Sequence, residues 1–157
     1  MKFIPPMPFY AWAALLGAPI LETAPAIAQA ARISLGSGFT PNPTVVQGTG
    51  GGTLRAAEVV GVRRTPIGPC LGYVRRSPHQ RLTLTNDFSD LELHVTSDTD
   101  TTLIVEGPGG IWCNDDSDGH NPVIRGEWLP GDYSIWVGAH RPQARPSYEL
   151  SIRDRAR

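Results

Sequence analysis

Lysine is almost missing from this 157-residue chain: Lys2 is the single one, and every other Lys or Arg is one of thirteen arginines. Between positions 82 and 124 the shortage is complete, with nine Asp or Glu and neither Lys nor Arg. No basic side chain within that window can neutralise those carboxylates. Cysteine is scarce too, two in all, at 70 and 113. Neither has a second ligand at C-x-x-C or C-x-x-H spacing, which disfavours a zinc site. No G-x-S-x-G run is present to seat a serine nucleophile, and no lysine lies near the glycine run 48–52 to support nucleotide binding. After Ala31 no stretch keeps a helical period with caps, and none is apolar for long enough to span a bilayer.

The first thirty residues read as a secretory signal peptide. Lys2 supplies the positive start, residues 9–21 a mostly apolar run, and Ala28-Gln29-Ala30 a small-x-small cleavage pattern. A membrane anchor is the competing reading, opposed by the short run and by Pro19. Cleavage near Ala31 leaves thirteen Arg against fourteen acids, a nearly neutral chain in the periplasm or outside the cell. In either place Cys70 and Cys113 are expected to pair, closing a loop worth about 4 kcal/mol. Outside the 82–124 window the thirteen Arg face only five acids, Glu58, Glu127, Asp132, Glu149 and Asp154. Solvated arginines on outer strand faces are the plain account; a surface for an anionic polysaccharide is the sharper one, and nucleic acid is not expected.

From Val45 onward the pattern is that of short strands. Leu82 and Leu84 alternate with polar neighbours, as do Leu91, Leu93 and Val95, then Leu103 and Val105, then Tyr133, Ile135 and Val137, then Tyr148, Leu150 and Ile152. Asn86-Asp87, Gly107-Pro108-Gly109-Gly110, Pro130-Gly131-Asp132 and Arg141-Pro142 supply turns between them. Strands spaced about ten residues apart predict an all-β, jelly-roll-like antiparallel sandwich. Its domain is expected over 53–153, preceded by an extended Gly/Pro-rich arm at 31–52 and followed by a frayed tail at 154–157.

If residues 101–106 and 111–114 form a hairpin about the 107–110 turn, the Asp100 end of one strand lies beside the Asp115-Asp116 end of the other. Like charges gathered there raise one another's pKa, and a divalent cation at the centre reverses the effect. Ca²⁺ takes roughly six to eight oxygens. Asp98, Asp100, Asp115, Asp116, Asp118, Asn121 and backbone carbonyls are the candidate donors. An EF-hand is ruled against, because its twelfth position would be Arg125 and Pro122 interrupts the loop. The metal-free alternative is an Asp/Asn-rich turn whose side chains cap backbone N–H groups.

The string Asp100-Thr101-Thr102-Leu103-x-Val105, then Gly107-Pro108-x-Gly110-x-Trp112-Cys113-x-Asp115-Asp116-x-x-Gly119-x-Asn121-Pro122, then Gly131-x-Tyr133-x-Ile135-Trp136-Val137-Gly138 resembles the bacterial pre-peptidase C-terminal domain family. The resemblance runs from about Phe39 to Ile152. It implies a jelly-roll-like sandwich, often attached to secreted peptidases, with related collagen-binding modules that use Ca²⁺ to rigidify the fold. It supports Asp100, Asp115 and Asp116 as ligands and is silent on Asp98 and Asp118. No peptidase domain accompanies the motifs in this chain.

The expected function is a non-enzymatic, exported calcium-binding module that binds or stabilises a partner, with an extracellular protein or polysaccharide as the partner class. Two alternatives stand beside it. An adhesin would use Trp112 and Trp136, provided both face solvent from adjacent strands, to stack on sugar rings or a peptide. A hydrolase would need His94, His120 or His140 near a serine and a carboxylate in a concave pocket.

Overall fold

The computed structural model describes residues 31–117 and 119–156. The expected signal peptide, 1–30, and one candidate ligand, Asp118, lie outside the described residues.

Two sheets pack face to face. One joins β1 (Ala31–Leu35), β7 (Gln80–Leu84), β12 (Gly131–Ala139), β9 (Thr101–Gly107) and β10 (Gly110–Asn114), with the short β6 (Tyr73–Val74) and β3 (Leu54–Arg55) continuing past the end of β7 beside β12. The other runs β11 (Val123–Trp128), β8 (Phe88–Thr96), β13 (Ser147–Asp154), β2 (Thr44–Thr49). The alternating residues meet between them: Leu82 and Leu84 from one sheet face Leu91, Leu93, Val95, Leu150 and Ile152 from the other, all at most 1 % exposed. Burying such side chains is worth roughly 1.5–3 kcal/mol each, and the two-residue period of a strand supplies them all to one face.

The segment at 31–52 joins the sandwich through two strands. β1 pairs with β7 along its whole length, and in parallel, whereas the other strand pairs among the described residues are antiparallel. β2 pairs antiparallel with β13 from Thr44–Ile152 to Thr49–Ser147. Between them Phe39 meets the ring of Phe88 edge-on, centroids 6.0 Å apart. Asn42 exchanges two hydrogen bonds with the backbone of Asp154, at 2.9 and 3.0 Å. That clasp holds the chain's end as well: β13 runs through Asp154, so the expected tail begins one residue later.

Residues 53–74 carry no long strand, yet they decide what the first sheet's outer face does. Here lie α1 (Ala56–Val60), the ribbon β4 (Arg64–Thr65) with β5 (Gly68–Pro69), and β6. Together they cover Ile104, Cys113 and Trp136 and form a second, smaller core with Ala56, Cys70 and Val74. This explains why Thr101 to Val105 are all buried: the central strand has neighbours on both faces. Gly72 at φ 85° permits the close approach, since a Cβ there would stand 2.8 Å from Thr102 Oγ1. Thr102 Oγ1 donates to Leu71 O at 3.1 Å, and Cys113 N donates to Thr65 Oγ1 at 3.3 Å. Cys70 and Cys113 are bonded, S–S 2.06 Å. The bond ties β10 to this cover.

Candidate functional site

The 107–110 turn does form a hairpin, with Gly107 opposite Gly110 and Leu103 opposite Asn114. Its open end therefore presents Asp100, just before β9, beside Asp115 and Asp116, just after β10. The loop that follows is organised by Asn114, whose Oδ1 accepts from Ser117 Oγ at 2.9 Å and from Val123 N at 3.0 Å. Thr101 N donates to His120 O at 3.4 Å, which folds the loop back over the start of β9.

One ligand atom from each of Asp100, Asp116 and His120 lies within 4.8 Å of the other two. Atoms bound to one Ca²⁺ at about 2.3–2.6 Å can be at most about 5 Å apart, so this spacing suits a shared ion. Asp115 adjoins the group. Burial first, then the charges of Asp116 and Asp100, raise its carboxyl above the ordinary value, with His140 offsetting part of the effect. Asp100 Oδ1 and Asp115 Oδ1 are shielded from solvent and have no hydrogen-bond partner among the described residues. Buried carboxylate oxygens without a donor are costly, and a cation is the kind of partner that would satisfy them.

The other candidate donors are placed differently. Asp98 is exposed and lines a separate cavity of about 550 Å³ with Gln47, Ser97 and Glu149 on the second sheet's side. Asn121 spends its Oδ1 on Ser97 N, at 3.0 Å, and so ties the two loops together. His140 also borders the acidic edge: its Nδ1 is 3.6 Å from Asp100 Oδ2. No local motif announces it. The antiparallel pairing of β12 with β9 places Ala139 opposite Thr101, and the next residue on each strand brings His140 to Asp100.

The adhesin geometry is overturned. Trp112 pairs with Val105, and Val105 with Ile135, on the face turned toward the main core, where the Trp112 ring lies 5.9 Å from that of Trp128. Trp136 is on the opposite face, 5 % exposed, beneath the 53–74 cover. The two rings therefore share neither a face nor adjacent strands, because β9 runs between β10 and β12. Alternation correctly separates Trp112 from Cys113 and Trp136 from Ile135; only the packing shows that the two pairs are inverted relative to each other. For the hydrolase geometry, the described residues lining the cavity beside His140 and Asp100 are Thr99, alanines, arginines and Pro146, with no serine among them.

No protein-family model matches the chain. An uncharacterized protein of Synechococcus elongatus is 29 % identical over 153 residues, spanning 95 % of this chain and 100 % of that one. Among solved structures, the pre-peptidase C-terminal domain of a collagenase from Bacillus anthracis is similar at TM-score 0.44 and 11 % identity, over 80 % of this chain and 97 % of that one. The Aeromonas hydrophila periplasmic inhibitor of g-type lysozyme, PliG, is similar at TM-score 0.38 and 14 % identity, over 80 % and 98 %. Among the described residues no helix is long and apolar enough to cross a membrane.

Proposed function

We propose that this protein is an exported, non-enzymatic β-sandwich of pre-peptidase C-terminal type that binds Ca²⁺ where β9 begins and β10 ends, and that it serves as a binding or stabilising module. The observation that carries the reading is the convergence of Asp100, Asp116 and His120, with the donor-less oxygens of Asp100 and Asp115 at the same edge. In this reading Asp100, Asp115 and Asp116 hold the ion, Asn121 braces the loop, and backbone carbonyls and water complete the shell. The imidazole of His120 is the one donor that a hard ion does not favour, so Zn²⁺ is the natural control. Export to the periplasm or beyond is supported by the leader pattern of residues 1–30 and by the Cys70–Cys113 bond.

The test is calorimetric titration and thermal melting of the oxidised protein with Ca²⁺, Zn²⁺ or chelator. Ca²⁺ at a hundred times its Kd should stabilise the fold by about 2.7 kcal/mol, and Asp100→Asn or Asp116→Asn should abolish the gain. Asp115→Asn should act with opposite signs. Its folded pKa is raised, so ionising it above the unfolded value costs stability that the amide restores; in chelator the variant melts higher, and in Ca²⁺ it binds more weakly. Melting that ignores both Ca²⁺ and chelator overturns the reading.

A further inference from the structure

Two cavities open on either side of Arg145. One, about 450 Å³, reaches Asp100, His140 and Arg141; the other, about 300 Å³, reaches Thr53, Arg75 and Gln143. Among the described residues none of the three arginines makes an ion pair. The one carboxylate that the described residues place on these walls, Asp100, sits against His140 instead. Arg75 is held in place by neutral groups: its Nε donates to Ser77 O at 3.3 Å and its Nη2 to Pro78 O at 3.0 Å. Carbonyls orient the guanidinium without neutralising it, and its charge reaches His79, where it adds to burial in lowering the pKa.

Gln143 lies between Arg141 and Arg145 in sequence and is the only non-glycine among the described residues with a left-handed backbone, φ 64°. Glycine or asparagine occupies that conformation at lower cost than glutamine does. Its N–H donates to Gly52 O at 2.9 Å, which brings the residue to the wall it shares with Arg75 and Arg145. A residue that strains the backbone while lining a cationic cavity points to a ligand.

We propose that Arg75, Gln143 and Arg145, with Arg141 at the far end, form a binding groove for an acidic saccharide, a sugar chain bearing carboxylate or sulfate groups. Guanidinium forks pair with such oxyanions through two parallel hydrogen bonds, while Gln143 and Thr53 offer partners to ring hydroxyls. Among the described residues no Trp, Tyr or Phe lines either cavity, so these offer no stacking platform of the kind that single-stranded nucleic acid uses. Its arginines are not among the metal donors, although the larger cavity also reaches Asp100, which is one; binding measured in EDTA separates the two readings.

Binding of polygalacturonate, dextran sulfate, neutral dextran and poly-glutamate to the oxidised full-length protein, measured by calorimetry at low salt in EDTA, tests this. An acidic polysaccharide should bind, more weakly as salt rises, and dextran should not. Arg145→Gln and Arg75→Gln should each weaken binding about tenfold. Gln143→Gly separates binding from folding, because it relieves the backbone and should hold or raise the melting temperature while affinity falls. No binding of either acidic polysaccharide, binding that all three variants leave unchanged, or equal binding of poly-glutamate overturns the proposal.

Discussion

His79 shows how one buried side chain couples this fold to pH. It is 4 % exposed, its Nδ1 accepts from Val137 N at 3.2 Å, and its Nε2 lies 3.2 Å from Gly51 O, so the neutral ring bridges β12 and the glycine run. Burial first, then the charge of Arg75, brings its pKa down from 6.5 to about 4, against a smaller opposing pull from Gly51 O. The folded state therefore binds fewer protons than the unfolded one between these values, and stability present above pH 6.5 is lost as the pH falls toward 4. The loss should be on the order of 3 kcal/mol by urea unfolding, and His79→Gln should flatten the curve between pH 6.5 and 5, above the range where carboxylates titrate. A slope unchanged in the variant would move the effect to another group. Nothing in the residue types around position 79 announces this role; the ring's partners come from residues 28 and 58 positions away.

The element that most changes the reading of the sequence is the 53–74 cover. Its fragments are too short to register as strands, and α1 is a single turn or so, its Arg55 N-cap position making no side-chain cap hydrogen bond. The cover holds because Val74, Ala56 and Cys70 pack on Trp136, Ile104 and Cys113, and because one disulfide spans a sequence separation of 43. Replacing both cysteines by serine should remove about 4 kcal/mol. Hydrogen exchange should show where: residues 56–74 opening well before β8 and β13. Uniform acceleration across both sheets would mean instead that the cover and the sandwich are one cooperative unit. The β9–β10 hairpin, by contrast, was legible from Gly107-Pro108-Gly109-Gly110 and two flanking runs, since a local turn sets a local register.

Across the whole molecule, the first residues after the expected cleavage point are structural. Leu35 is buried in the core, and Phe39 packs beside it. A chain beginning at Thr44 should lose at least about 3 kcal/mol from those two side chains, seen as a lower urea midpoint than the full-length protein. An unchanged midpoint would mean that these residues add nothing to the stability of the sandwich. Pro41 and Pro43 with the nearby glycines suggested an extended arm, but the composition of a segment does not disclose an unpaired strand edge waiting across the fold, which β7 and β13 provide.

Local pattern alone established the β class, the inward residues of the long strands, the hairpin and the gathering of Asp100 with Asp115 and Asp116. Each depends on a two-residue period or a short turn, and those act between neighbours along the chain. Pairing across long separations decided the rest: which face of β10 and β12 is covered, that Trp112 turns half-buried toward the main core while Trp136 lies under the 53–74 cover, that His140 meets Asp100, and that Arg75 and Arg145 line one cavity. Alternation can assign residues to two faces, but which face meets solvent is settled only when another part of the chain comes to lie on it.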